Sequence, residues 1–163
     1  MALFKQSTVD AEKKFDAINA FKADVYNASV VAVEVVEVDD TNWDSGHPVK
    51  NPDIKVDNVR VTLDIESTVD GSPIIGVDGN PPTFTSLSFW FDPTRTGMSK
   101  KGPSKARVLI TTLMDWDIKE KINLMVLEDL ISNGKLIEKK IRCAVSVTEA
   151  GKNRIDNFMP AKK

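Results

Sequence analysis

What this chain lacks narrows its chemistry first. It has one cysteine, Cys143, which excludes an internal disulfide framework and a multi-thiolate metal site. It has one histidine, His47, and neither a Ser/His/Asp nor a Cys/His arrangement of plausible geometry forms around it. There is no GxGxxG, no internal repeat and no low-complexity tract. No apolar run approaches the ~20 residues that span a bilayer. The opening MALFKQSTVDAEKK has no secretory apolar core. These absences lead to an expectation of no enzyme activity, no cofactor, no membrane partner and a cytoplasmic location (the host cytoplasm if the protein is viral).

What is present is an ordinary globular composition, with 41% hydrophobic and 28% charged residues in 163, which suits one domain over 1–163. The net charge of −2 conceals an asymmetry. Residues 1–94 hold 7 Lys/Arg against 16 Asp/Glu, a net of −9, whereas 95–163 hold 15 against 8, a net of +7. Such a division suggests a polyanion-facing surface on one side, unless the halves interleave in space and cancel.

Along the chain, TVDAEKKFDAINAFK (8–22) sets Val9, Phe15, Ile18 and Phe21 largely on one helical face and predicts a short N-terminal helix. SVVAVEVVEVD (29–39) is too β-branched for anything but a strand. DDTNWDSGHPVKNPD (39–53) is rich in turn residues and reads as a loop. IKVDNVRVTLDIE (54–66) alternates, with Val59, Val61, Leu63 and Ile65 on one face and Asn58, Arg60, Thr62 and Asp64 on the other. TFTSLSFWFD (83–92) is a third strand. SKARVLITTLMDWD (104–117) predicts a helix, and EDLISNGK ends like another, with Gly134 as its cap. KKIRCAVSVTEAGKNRIDNFMP (139–160) predicts a hairpin turning at Glu149–Lys152, with Ile141, Cys143, Val145 and Val147 facing inward. The fold class expected is therefore mainly β with helices. Its form is a five-stranded, OB-fold-like antiparallel barrel with an N-terminal helix, a helix between strands 3 and 4 and a basic C-terminal end.

RTGMSKKGPSKAR (95–107) has Gly97, four residues, then Gly102, close to the spacing of a phosphate-binding P-loop. The next position is Pro103, which has no ammonium and no N–H to donate, so the P-loop reading fails. What remains is a loop with Arg95, Lys100, Lys101, Lys105 and Arg107 and no acid, read as a mobile clamp on a sugar-phosphate backbone.

The third strand carries a second signal. Leu87, Phe89 and Phe91 share one face, while Phe84 and Trp90 share the other with Ser86 and Ser88. Phe84 and Trp90 are candidates for stacking on single-stranded bases, with burial under the N-terminal helix as the alternative. Trp43, in the polar stretch beside Asn42 and Asp44, is a further stacking candidate. Arg60, Lys140 and Arg142 project away from the apolar faces and are candidate phosphate contacts. His47 with Asp44, Asp39 and Asp40 is a donor set that a divalent ion could accept, but its spacing matches no metal motif and the expectation is no metal.

The ending VTEAGKNRIDNFMP, a basic strand, a Gly-containing turn, then Asn-Arg-Ile and Phe-Met-Pro, resembles the closing hairpin of phage-type OB-fold single-stranded-DNA-binding proteins. The likeness covers about the last 60 residues in style and the strand order elsewhere. It implies that Arg142, Lys152 and Arg154 sit near a DNA groove and that Trp90 or Phe84 stacks bases. It also implies single-stranded DNA as the ligand, with replication or recombination proteins and further copies of the chain as candidate partners. Many such proteins end in an acidic tail, whereas this chain ends Pro-Ala-Lys-Lys. The reading is a non-sequence-specific single-stranded-DNA-binding protein of phage replication or recombination, using a basic groove and aromatic stacking. A phage or bacterial structural protein that self-associates through its charge-asymmetric surfaces is the alternative, and a small nuclease using His47 is a weaker third.

Overall fold

A computed structural model describes residues 20–44 and 47–161, with the backbone alone given for 40–44 and 47–54. The strands are β1 (Asp24–Asp44), β2 (His47–Thr68), β3 (Ser86–Phe91), β4 (Met98–Ser99), β5 (Gly102–Pro103), β6 (Lys140–Val147) and β7 (Asn153–Pro160). Two helices, α1 (Lys105–Met114) and α2 (Leu124–Ser132), lie in sequence between β5 and β6. The main sheet is antiparallel and five-stranded, in the order β3-β2-β1-β6-β7. Three consecutive strands and a fourth that returns to lie beside the first make this a Greek key.

Alternation in the sequence places the core. On β2, Val59, Val61, Leu63 and Ile65 are all buried, as their spacing predicts. On β1 the phase changes partway. Tyr26, Ala28 and Val30 point into the core, a register shift between Val30 and Ala32 leaves Val31 exposed, and Val33 then takes up the inward position. One inserted residue is enough to flip every later side chain to the other face. Ile141, Cys143 and Val145 of β6, with Ile155 and Phe158 of β7, complete the sheet's inner surface, while Val147 at the strand end is exposed. Leu109 and Ile110 of α1 and Leu127 and Leu130 of α2 belong to the same core. Each such side chain contributes about 1.5–3 kcal/mol on burial.

The helices start where polar side chains can cap them. The Arg107 N–H donates to Ser104 Oγ at 3.2 Å ahead of α1, and the Val126 N–H donates to Asn123 Oδ1 at 2.9 Å ahead of α2. Helix α1 ends on Asp115 in the left-handed region, and α2 ends on Asn133, one residue before Gly134, which has φ 61°.

Two expectations require correction. The stretch 39–53, read as a loop, is the far part of a β1–β2 ladder that runs out to Asp44↔His47. Beyond Val59, the last β2 residue paired to β3 in this direction, the two strands pair only with each other among the described residues. At about 3.3 Å per residue, Val36–Asp44 forms an arm roughly 30 Å long. Phe21, placed on a helical face, instead makes an isolated antiparallel bridge to Gly76 and packs edge-on against Tyr26, with ring centroids 5.1 Å apart. Residues 8–19 of the predicted N-terminal helix lie outside the described residues. The expected five-stranded antiparallel sheet is present, without a closed barrel among the described residues. The edges β3 and β7 share no hydrogen-bonded register among the described residues and meet through Phe89 and Phe158, edge to face at 5.1 Å.

Candidate nucleic-acid interface

The face of the sheet turned away from the core gathers most of the residues singled out by pattern. Because β2 alternates, Arg60 points outward between buried Val59 and Val61, and the ladder sets it directly opposite Trp90 of β3. The Arg60 guanidinium lies over the indole, 5.4 Å from the ring centroid. On its other flank Arg60 faces Glu34 of β1, and Nη2 donates to Glu34 Oε2 at 2.5 Å. A row Glu34–Arg60–Trp90 therefore crosses three strands. Arg60 Nε is buried without a hydrogen-bond partner, so the group is held by its neighbours rather than fully satisfied by them.

Trp90 is 44% exposed and Phe84, just ahead of β3, is 61% exposed, with the hydroxyl-bearing Ser86 and Ser88 between them also exposed. The indole and the phenyl ring are open rather than core among the described residues. Phe84 and Ser86 share a cavity of about 220 Å³ with Lys152, from the β6–β7 turn.

The basic strands complete the face. Lys140 and Arg142 alternate with buried Ile141 and Cys143 and so point outward. Lys140 Nζ donates to Glu66 Oε1 at 2.6 Å, and Arg142 Nε donates to Asn27 Oδ1 at 3.2 Å. Arg154 lies opposite Ser146 on the same side, and its Nε donates to Asp156 at 2.9 Å. The Ser146 hydroxyl, Arg154 and nearby Lys105 together hold the Asp156 carboxyl below the usual carboxylate range. The acidic strand β1 thus abuts the basic strand β6 along one seam, while β3 carries no charge and β7 balances Arg154 with Asp156.

The segment 95–107, read as a mobile clamp, has a defined backbone path. It folds into a small hairpin, β4–β5, with Met98 opposite Pro103, and Lys100 and Lys101 exposed at its turn. Its base is tied by the Ser104 N–H donating to Gly97 O at 3.1 Å. Gly102, at φ 107°, supplies the backbone conformation that closes so short a turn. Arg95 is exposed and 3.9 Å from Asp92, and Lys105 Nζ reaches Ile155 O at 3.5 Å.

Arg107 cannot serve as a phosphate contact. It is 6% exposed, and its Nε donates to Thr96 O at 2.8 Å. Its Nη1 donates to Ile118 O at 2.8 Å and Glu120 O at 2.5 Å. Those carbonyls have no helical partners, so the buried guanidinium closes the loops on either side of α1. Trp43 lies opposite Pro48 near the end of the arm, where the backbone alone is described, and His47 faces Asp44 there. Among the described residues no group of His, Cys, Asp or Glu forms a metal cluster.

Sequence reasoning missed Glu34 and Glu66. Each appears in the sequence only as a polar position within an apolar strand, and its role follows from a strand register that no local pattern reveals. Comparison with protein-family models, with curated proteins and with solved structures yields no match for this chain.

Proposed function

We propose that the chain is a non-enzymatic, non-sequence-specific single-stranded-DNA-binding protein of the OB type, serving phage replication or recombination. The observation that carries this reading is the Arg60 guanidinium set over the half-exposed indole of Trp90 on an otherwise polar face. A base stacks on an aromatic ring whatever its sequence, and a guanidinium beside the ring is within reach of the phosphate that joins one base to the next.

The fold supports the same reading. Joining the edges β3 and β7, which already touch through Phe89 and Phe158, would convert the Greek-key order into a five-stranded, partly open barrel. OB-folds bind oligonucleotides on the face of their second and third strands and with the loops joining strands 1–2 and 4–5. Here that surface corresponds to Arg60 and Trp90, flanked by the β1–β2 arm bearing Trp43 and the β6–β7 turn bearing Lys152. Lys140, Arg142 and Arg154 would carry the backbone onward across β6 and β7.

The test is tryptophan fluorescence during titration with oligo(dT) at low and moderate salt. Quenching that weakens steeply as salt rises, and that is lost in Trp90→Ala, is the expected result. No change at low salt would overturn the reading.

A further inference from the structure

A second surface lies on the opposite side of the sheet, where the arm leaves the core. Val35 and Val59 form the floor of a groove of about 320 Å³, and Pro93 with Leu124, Leu127 and Ile131 of α2 forms its walls. The groove is apolar and open: Val35 is 54% and Leu124 56% exposed. Its rim is acidic. Asp57 and Glu128 line the mouth, and Glu37 stands directly opposite Asp57 on the β1–β2 ladder. Like charges paired across a ladder cost stability, and these three carboxylates have no ion-pair or hydrogen-bond partner among the described residues. The acids repel phosphate, so the complementary occupant is an apolar side chain carried between cations.

The chain itself presents such an element. Hairpin β4–β5 displays Met98, 51% exposed, beside Lys100 and Lys101 at its turn, with Arg95 just ahead of it. In its own molecule this hairpin is tied at its base by the Ser104–Gly97 hydrogen bond and by Arg107 holding Thr96, and none of its residues lines the groove. We propose that the groove receives the β4–β5 hairpin of a second copy, with Met98 on the apolar floor and Lys100 and Lys101 against Asp57, Glu37 and Glu128. An unbranched thioether adapts readily to an apolar groove. Donor and acceptor are different residues, so the contact is heterologous, and each docked copy brings a further hairpin and a further groove. The charged rim makes the contact sensitive to salt.

The test is sedimentation velocity on the full chain without nucleic acid, over a concentration series at low and moderate salt. Its outcome does not depend on the DNA-binding reading. The wild type is expected to sediment faster as concentration rises, more so at low salt. Lys100→Glu/Lys101→Glu and Asp57→Lys/Glu128→Lys are each expected to stay at the monomer value alone and to regain association when mixed. Asp57→Lys puts a cation opposite Glu37, so the ladder is kept, and melting temperature serves as the folding control. Met98→Ser, which changes no charge, is expected to weaken wild-type association. A wild type that stays monomeric, double variants that associate as the wild type does, or a mixture that stays monomeric would each overturn the proposal.

Discussion

Arg60 and Trp90 are direct partners on the β2–β3 ladder, and the guanidinium carbon lies 5.4 Å from the indole centroid. A cation over an exposed ring contributes about 0.5–1 kcal/mol, a modest amount for folding. Its larger consequence is orientation. The indole is held on the outer face by its neighbour, which would lower the entropy lost if a base stacks on it.

Trp90→Ala should therefore weaken oligo(dT) binding far more than it weakens the fold. Loss of one stacked base is worth about 1–3 kcal/mol, or roughly 5- to 150-fold in Kd. The ring is only partly buried, so its removal should cost about 0.5 kcal/mol of stability, a shift of about 1–2 °C in Tm. Fluorescence would follow binding through a labelled oligonucleotide, and calorimetry would follow stability. A large fall in Tm would identify Trp90 as a packing residue and sink the platform role.

Glu34 holds the same guanidinium from the other side, at 2.5 Å, and Glu66 holds Lys140 at 2.6 Å. These carboxylates compete with a phosphate for either cation. Glu34→Gln and Glu66→Gln are expected to tighten oligo(dT) binding several-fold at fixed salt. Unchanged or weaker affinity in both would show that the acids do not compete with the ligand.

How much of this could be read from sequence depended on whether burial leaves a period. Val59, Val61, Leu63 and Ile65 face a packed core, so their alternation was legible, and so was the outward set of Arg60, Lys140 and Arg142. The far part of the arm, 40–53, was not legible, because its backbone pairs only with itself. No face there needs an apolar pattern, and its Asp, Asn and Pro resemble a loop. Arg107 was misassigned because its neighbours in the loop are exposed cations and only tertiary structure reveals the carbonyls it fills. The Glu34–Arg60 pair required register, which spacing within one strand does not carry.

Cys143 is fully buried between β1 and β7, and burial pushes its thiol up to about 12. The reactive species is the thiolate, so the native protein should be inert to a disulfide reagent at pH 8. One equivalent should react promptly in denaturant. Stoichiometric labelling of the native state within minutes would contradict the placement of β6.

The Lys135 ammonium, with help from Asn133, holds the Asp129 carboxyl at the end of α2 below the usual carboxylate range. A lowered native pKa contributes stability that is present above the unfolded value, near 4, and lost as pH falls through the native one. Asp129→Asn should therefore lower Tm slightly at pH 7 and by less at pH 2. The site is exposed, so the effect is small and will shrink further in salt. An equal effect at both pH values would assign it to the helix end rather than to charge.

Arg107 separates structure from binding most sharply, because it lies in a cationic stretch yet is buried against three backbone carbonyls. Arg107→Met keeps most of the packed volume and leaves Thr96, Ile118 and Glu120 without their donor, so it should cost about 3 kcal/mol or more in urea unfolding. Arg107→Lys should recover only part of this, since one ammonium cannot reproduce the planar fork. Because Arg107 meets no phosphate, the Lys variant, assayed where it is folded, should keep the wild-type dependence of log Kd on log salt. Arg142→Ala should instead reduce that slope by about one while leaving stability nearly intact. The reverse outcome, a reduced slope for Arg107→Lys and an unchanged one for Arg142→Ala, would move the phosphate path from the outer face of the sheet to the start of α1.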